Sequence, residues 1–99
     1  MARLLEGQEL EAHLGDLPGW AGDPAGISRT VQAPDFLTGV RIVDEVAQIA
    51  QDMDHHPDID IRWRTLRFGL STHSAGGVTQ LDVELAHRIS SVALAHGAS

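Results

Sequence analysis

Apolar side chains recur along this chain with helical and strand periods, and the order of these periods predicts its elements. Leu10 and Leu14 stand four residues apart, which predicts a short helix over 8–14. Glu9 and Glu11 favour the N-terminal end of this helix, where acidic side chains are stabilising. Gly15 can end that helix as a left-handed cap. The segment 17–20 is expected to be extended and to lead into a turn rich in glycine and proline.

Two further helices begin at recognisable caps. Asp35 precedes an apolar stripe with steps of three and four, which predicts a mostly buried helix that ends before Pro57. This stripe consists of Phe36, Val40, Val43, Ala47 and Ala50, and it is widened by Ile42, Val46, Ile49 and Met53. Thr79, with Asp82 three residues later, is close to a capping box and predicts a helix that ends by Gly97.

Strand periods lie between these helices. Ile27, Val31 and Ala33 alternate with polar residues and predict the second strand of a first hairpin. Later in the chain, apolar residues change parity between Trp63 and Leu66. A two-residue turn at positions 64–65 would bring both sets to one face.

This predicted turn fixes a register for the second hairpin. It places Trp63 opposite Leu66 and buries the Trp63 ring in the core together with Phe68. It also places Arg62 opposite Arg67, where like charges cost stability.

The order helix, hairpin, helix, hairpin, helix predicts an α+β fold. We expect a two-layer sandwich with a four-stranded antiparallel sheet and three helices packed on one face. A chain of 99 residues has room for one core, so residues 1–99 are expected to form a single domain.

Composition removes several classes of function. The chain has no cysteine, which excludes disulfides, thiolate zinc sites and cysteine nucleophiles. The net charge of −7 repels phosphate backbones and argues against a nucleic-acid partner. No apolar run reaches the roughly 20 residues of a membrane span, and the apolar start is too short for a signal peptide, so we expect a cytoplasmic location.

Histidines carry the remaining candidate chemistry. His55 and His56 follow the predicted second helix, and His73 follows the second hairpin. Imidazole titrates near neutral pH and can transfer protons in both directions. Nearby Asp54 and a helix C-terminus favour the protonated ring.

Other interpretations of these residues stay open at this point. A histidine pair at a helix end can be a solvated cap, and three histidines can bind zinc, although the spacing matches no local zinc motif. Asp82 can be a capping residue or a ligand contact. His13, His87 and His96 are expected to be ordinary residues of helix surfaces.

A spaced series of short motifs resembles the pterin-4a-carbinolamine dehydratase family, also called 4a-hydroxytetrahydrobiopterin dehydratases. The series comprises His55-His56-Pro57, Trp63, Ser71-Thr72-His73, and Asp82 after Ala75-Gly76-Gly77. Leu17-Pro18-Gly19-Trp20, Ile27-Ser28-Arg29 and Asp35-Phe36 also fit, so the resemblance covers nearly the whole chain. The family fold that it implies has the element order given above.

The resemblance implies a hydro-lyase that dehydrates a 4a-hydroxytetrahydropterin in pterin cofactor recycling, without a metal or another cofactor. His55, His56 and His73 would be catalytic. The residues implied to bind the pterin substrate are Asp54, Pro57, Ser71, Thr72 and Asp82.

The resemblance also implies a homodimer or homotetramer and leaves a second function open. Some animal relatives are dimerisation cofactors for a homeodomain transcription factor, so the alternative is a non-catalytic binding or assembly module. Gln51 and Leu81 stand where the family commonly has charged residues, which motivates this alternative.

Overall fold

A computed structural model describes residues 2–99 as three helices and one antiparallel sheet. The helices are α1 (Gly7–Gly15), α2 (Phe36–Met53) and α3 (Gln80–Ala95), and the strands are β1 (Ala21–Asp23), β2 (Gly26–Gln32), β3 (Asp58–Arg62) and β4 (Thr65–Leu70). The sheet order is β1-β2-β4-β3. The predicted α+β fold and its element order are therefore confirmed.

One hydrophobic core joins the sheet to the helices. Phe68 and Leu66 of β4 are fully buried, as are Ile42 of α2 and Leu85 and Ile89 of α3. Within residues 2–99, no helix is both long and apolar enough to cross a membrane.

The predicted helix caps of α2 and α3 are confirmed. Asp35 accepts a hydrogen bond from the backbone N–H of Thr38 at 2.7 Å, and hydrogen bonding to Thr38 lowers the pKa of Asp35. Thr79 and Asp82 form a complete capping box at the start of α3. These caps fix where α2 and α3 enter the fold, because they satisfy backbone donors that have no partner inside the helix.

The expectation that α2 is mostly buried is wrong. Phe36 is 52% exposed, and Ala47 is exposed as well. The buried stripe is narrower and consists of Gly39, Ile42, Val46 and Ala50. A single layer of helices covers the sheet, so α2 turns one face to the core and leaves the opposite face to solvent.

The first hairpin forms, but its first strand begins later than expected. The segment 17–20 is a turn rather than a strand, and Leu17 and Trp20 are buried within it. β1 then pairs Ala21 with Ser28 of β2.

The predicted register of the second hairpin is wrong. The two-residue turn lies at Trp63–Arg64, so Ile61 pairs with Leu66 and Ile59 pairs with Phe68. Trp63 adopts a left-handed backbone conformation with φ 53° and is 73% exposed, so it does not belong to the core. The Arg64 guanidinium lies 5.2 Å from the centre of the Trp63 ring.

The observed register avoids a like-charge pair that the predicted register would create. Both registers place Ile59, Ile61, Leu66, Phe68 and Leu70 on one face, so the pattern of these residues cannot separate them. In the observed register, Asp60 lies opposite Arg67, whereas the predicted one would have placed Arg62 there. Opposite charges across a pair of strands stabilise it, and like charges do the reverse.

The two aromatic residues of this hairpin should differ in their contribution to stability. Phe68→Ala empties a buried site and should lower the free energy of unfolding by about 3–5 kcal/mol. Trp63→Ala removes an exposed ring and should cost less than about 1 kcal/mol. Urea unfolding of the two variants measures this difference, and equal losses would contradict the observed register.

Candidate active site

The turn that ends α2 places the His55 side chain inside the protein and the His56 side chain at its surface. Asp54 caps the helix in the left-handed conformation, with φ 51° and ψ 43°. The backbone N–H of His55 then donates back to the carbonyl of Ala50 at 3.0 Å. Asp is among the few residues besides glycine that adopt this conformation readily, and the turn leaves His55 only 8% exposed.

Asp82 is the buried partner of His55. Its carboxylate lies in the first turn of α3, is fully buried, and accepts from His55 Nε2 at 2.5 Å through Oδ1. Its Oδ2 accepts from the Thr79 backbone N–H at 2.9 Å and from the Thr72 hydroxyl at 2.8 Å. Asp82 therefore joins the segments that follow α2 and β4 to the start of α3.

The proton directions in this network follow from its acceptors. An ionised carboxylate can only accept hydrogen bonds, so the Thr72 hydroxyl donates its single proton to Asp82. The Thr79 hydroxyl, 2.8 Å from that of Thr72, must then be the donor between the two threonines. Thr79 Oγ1 in turn accepts from the backbone N–H of Leu81 at 3.2 Å.

The same logic fixes the form of the His55 ring. Nε2 must carry a proton, because it faces the carboxylate of Asp82. Nδ1 has no hydrogen-bond partner within residues 2–99, whereas every buried side-chain nitrogen and oxygen of these residues has one. Nδ1 therefore reaches the molecular surface and, in the neutral ring, presents a lone pair there.

Two helix ends favour charge separation between these groups. His55 follows the C-terminus of α2, whose carbonyl groups favour a cation, and Asp82 lies at the N-terminus of α3, whose N–H groups favour an anion. The pair can therefore hold an imidazolium and a carboxylate next to each other. This is the arrangement by which a carboxylate supports a histidine base in acid–base catalysis.

His56 has a neutral partner at the surface. Its Nε2 lies 3.1 Å from Oε1 of Gln51 in the last turn of α2. Because an amide oxygen can only accept, Nε2 carries the proton and Nδ1 can accept a hydrogen bond from a ligand.

His73 is exposed and lies at the start of a short 3-10 helix, His73–Ala75. It directly follows Thr72, the buried donor to Asp82. The structure thus separates the three histidines by environment: His55 is buried against a carboxylate, whereas His56 and His73 are exposed.

The five residues expected to bind substrate lie in different surroundings. Thr72 and Asp82 are buried and bond to each other, whereas Asp54 is exposed and Pro57 half-buried. The Ser71 hydroxyl donates to the carbonyl of Ala25 at 2.9 Å and ties the end of β4 to the turn before β2. Within residues 2–99, no three side chains of His, Asp or Glu are grouped so that they could hold a metal ion.

Sequence reasoning missed two contacts of this site. The sequence predicts Thr79 only as a cap, although its hydroxyl also donates to Thr72. Gln51 departs from the family pattern, and nothing in the sequence predicts its contact with His56. The spacing of five residues between Gln51 and His56 carries no signal, because the contact depends on the left-handed turn at Asp54.

Comparison with known proteins gives one consistent family. The family model described as pterin 4 alpha carbinolamine dehydratase matches residues 3–92. A protein of Nocardia farcinica is 51% identical over 90 residues, with 91% of this chain and 95% of that protein covered. A protein of Mycolicibacterium smegmatis is 46% identical over 89 residues, with 90% and 95% covered. Both are provisionally named pterin-4-alpha-carbinolamine dehydratase.

Solved structures agree with this result. A Brucella melitensis protein described as a transcriptional coactivator/pterin dehydratase matches with a TM-score of 0.86 and 32% identity, covering 92% of this chain and 98% of that one. A pterin dehydratase-like protein described as a RuBisCO assembly factor in the alpha-carboxysome matches with a TM-score of 0.62 and 16% identity, covering 75% and 86%. At 16% identity the second match speaks for the fold alone.

The buried part of the site should depend on the Thr72 hydroxyl. Thr72→Val keeps the shape but removes the donor to Asp82 and the acceptor for Thr79, so it should lower the free energy of unfolding by about 1–3 kcal/mol. Thr72→Ser keeps the hydroxyl and should lose only about 1 kcal/mol, through its missing methyl group. Chemical denaturation of both variants measures the difference, and a Val variant as stable as the Ser variant would contradict the network.

Proposed function

The chain belongs to the pterin-4a-carbinolamine dehydratase family, and we propose that it removes water from a 4a-hydroxytetrahydropterin to give the quinonoid dihydropterin. The reaction would serve pterin cofactor recycling and requires no metal or redox group. The family match and the relatives support the substrate class. The observation that carries the mechanism is the buried contact between His55 and Asp82.

Dehydration breaks the bond from C4a to its hydroxyl oxygen and one N–H bond of the pterin ring. We assign His55 as the base, because Nε2 is committed to Asp82 and Nδ1 has a free lone pair at the surface. Nδ1 takes the ring proton, and the carboxylate of Asp82 stabilises the imidazolium that forms. Asp82 is thus a positioning residue that acts through His55, because its own side chain is fully buried.

His73 is assigned as the acid. Its protonated ring gives a proton to the leaving hydroxyl, which departs as water. Because His73 is exposed, it regains its proton from solvent, and Nδ1 of His55 returns its own to solvent. The products are then the quinonoid dihydropterin and one water molecule, with both histidines restored.

The remaining residues would hold the substrate. Nδ1 of His56 is free to accept a hydrogen bond from the pterin while Gln51 holds Nε2. Asp54 and Pro57 flank the histidine pair, and Ser71 precedes Thr72 and His73. We propose that these three border the bound ring, whereas Thr72 acts through Asp82.

A stopped-flow assay of 4a-hydroxytetrahydropterin dehydration, with and without the protein, tests the activity. We expect the protein to accelerate loss of the carbinolamine at neutral pH. A rate equal to that of the uncatalysed reaction, with correctly folded protein, would contradict the proposal.

Removal of either member of the acid–base pair should slow the reaction. His55→Ala and His73→Ala should each lower kcat by about 10²–10⁴-fold, the usual contribution of one general acid or base. His13→Ala changes a histidine of α1 and is the matched control, with unchanged kcat expected. Turnover like that of the wild type in both site variants would refute the assignment.

The positioning role of Asp82 has its own signature. Asp82→Asn should lower kcat and leave KM nearly unchanged, because the buried side chain does not touch substrate. The neutral amide stabilises the imidazolium that forms during the reaction less than the carboxylate does, so the loss should fall on kcat alone. A rise in KM as large as the fall in kcat would indicate a purely structural role.

An assembly module without catalysis is the second candidate function. The Brucella melitensis protein is described both as a coactivator and as a dehydratase, so the fold is associated with both names. In this chain His56 contacts the neutral side chain of Gln51, at a position where the family commonly has a charged residue. The loss of that charge beside a histidine of the site favours this alternative. A stoichiometric protein partner, together with no dehydration above the uncatalysed rate, would favour this alternative.

We also propose a homodimer or homotetramer that forms along the edge of the sheet. β3 is an edge strand, and it contains neither proline nor lysine, which commonly block such edges. Pairing of two copies of β3 about a two-fold axis would extend the antiparallel sheet across the interface.

Light scattering and hydrogen exchange test this assembly. We expect a mass of at least twice 10.6 kDa at micromolar concentration and slow exchange of the β3 amides that point away from β4. A mass of 10.6 kDa would refute the oligomer, and a dimer with rapidly exchanging β3 amides would refute the sheet-edge interface.

A further inference from the structure

A cleft of about 380 Å³ lies between the loop after α1, strand β2 and the second half of α3. Arg29 and Ser90 contribute polar groups to it, and Leu17, Pro18 and Leu94 contribute apolar walls. Ser90 lies eight residues after Asp82 in α3, about 12 Å further along the helix axis. The cleft is therefore separate from the histidine site.

The proton of the Ser90 hydroxyl has no acceptor among the residues that the structure describes. Its Oγ accepts from Trp20 Nε1 and from Arg29 Nη1, each at 2.9 Å. A hydroxyl oxygen has two lone pairs, and these two donors occupy both. Within residues 2–99 the hydroxyl donates to no acceptor, so its proton is available to a ligand in the cleft.

Arg29 supplies a positive charge that is held in place. It takes part in no ion pair within residues 2–99, and the residue as a whole is half-buried. Gly19 lies against it in a left-handed turn, and a Cβ at Gly19 would approach Arg29 Nε to 2.8 Å. The guanidinium is thus fixed by Ser90 on one side and by the Gly19 backbone on the other, with most of its N–H groups unused.

We propose that this cleft binds an organic monoanion, such as a carboxylate attached to an apolar body. The carboxylate would accept from the Arg29 guanidinium and the Ser90 hydroxyl, and the apolar part would lie against Leu17 and Leu94. Leu94 is 79% exposed, so a ligand there would cover apolar surface. Asp16 also lines the cleft, and its charge repels any anion, but a ligand with two negative charges about twice as strongly as one with a single charge.

The indole of Trp20 is a built-in reporter, because its Nε1–H donates to the Ser90 hydroxyl. Trp63, the other tryptophan, is an exposed internal reference. We would titrate the ¹⁵N-labelled protein with benzoate, using benzamide as the uncharged probe of equal shape and sodium chloride to match ionic strength. We expect a saturable shift of the Trp20 indole signal with benzoate only, with a Kd of about 1 mM or lower.

Two variants assign the binding. Arg29→Met should abolish the benzoate shift, and Ser90→Ala should weaken binding at least about fivefold, since it removes a hydrogen bond to a charged group. Arg41→Met removes an equal charge from the exposed side of α2 and should bind as the wild type does. If Arg29→Met does not fold, the Ser90→Ala comparison decides alone. Absence of a saturable shift, an equal shift with benzamide, or unchanged affinity in Ser90→Ala would overturn the proposal.

Discussion

The carboxylate of Asp82 has lost all contact with water, and a buried charge is stable only when hydrogen bonds replace its hydration. Three donors do so: His55 after α2, Thr72 after β4, and the backbone of Thr79 at the start of α3. Separate parts of the chain must therefore meet at one carboxylate. The hydrogen bonds that pack α3 against the end of α2 are therefore the same ones that hold the residues of the site in place.

This requirement divides the site into a rigid and an accessible part. His55 is held by a buried partner, so its ring orientation is set before any ligand binds. His56 and His73 are exposed and can exchange protons with solvent. An acid–base reaction needs a base that is held in one orientation and an acid that can regain its proton from solvent. Because the site offers both, we favour dehydration over a purely structural role for the histidines.

The sequence was sufficient for features that depend on local chemistry. The Asp35 and Thr79 caps and the order of the elements were predicted because a cap needs only a few neighbouring residues. The turn at Trp63 was not, because both registers place Ile59, Ile61, Leu66 and Phe68 on the same face, so the apolar pattern alone cannot choose between them. The role of Thr72 could not be predicted, because its partner Asp82 lies in a different element and the path of the chain between them decides whether the two side chains meet.

The tautomer of His55 tests the central claim most directly. Long-range ¹H–¹⁵N correlation spectra of the free protein, at a pH where the ring is neutral, distinguish a protonated ring nitrogen from one with a lone pair. The account predicts that Nε2 is protonated, because it donates to Asp82, and that Nδ1 carries the lone pair. A neutral ring with its proton on Nδ1 would contradict the assignment of His55 as a base supported by Asp82.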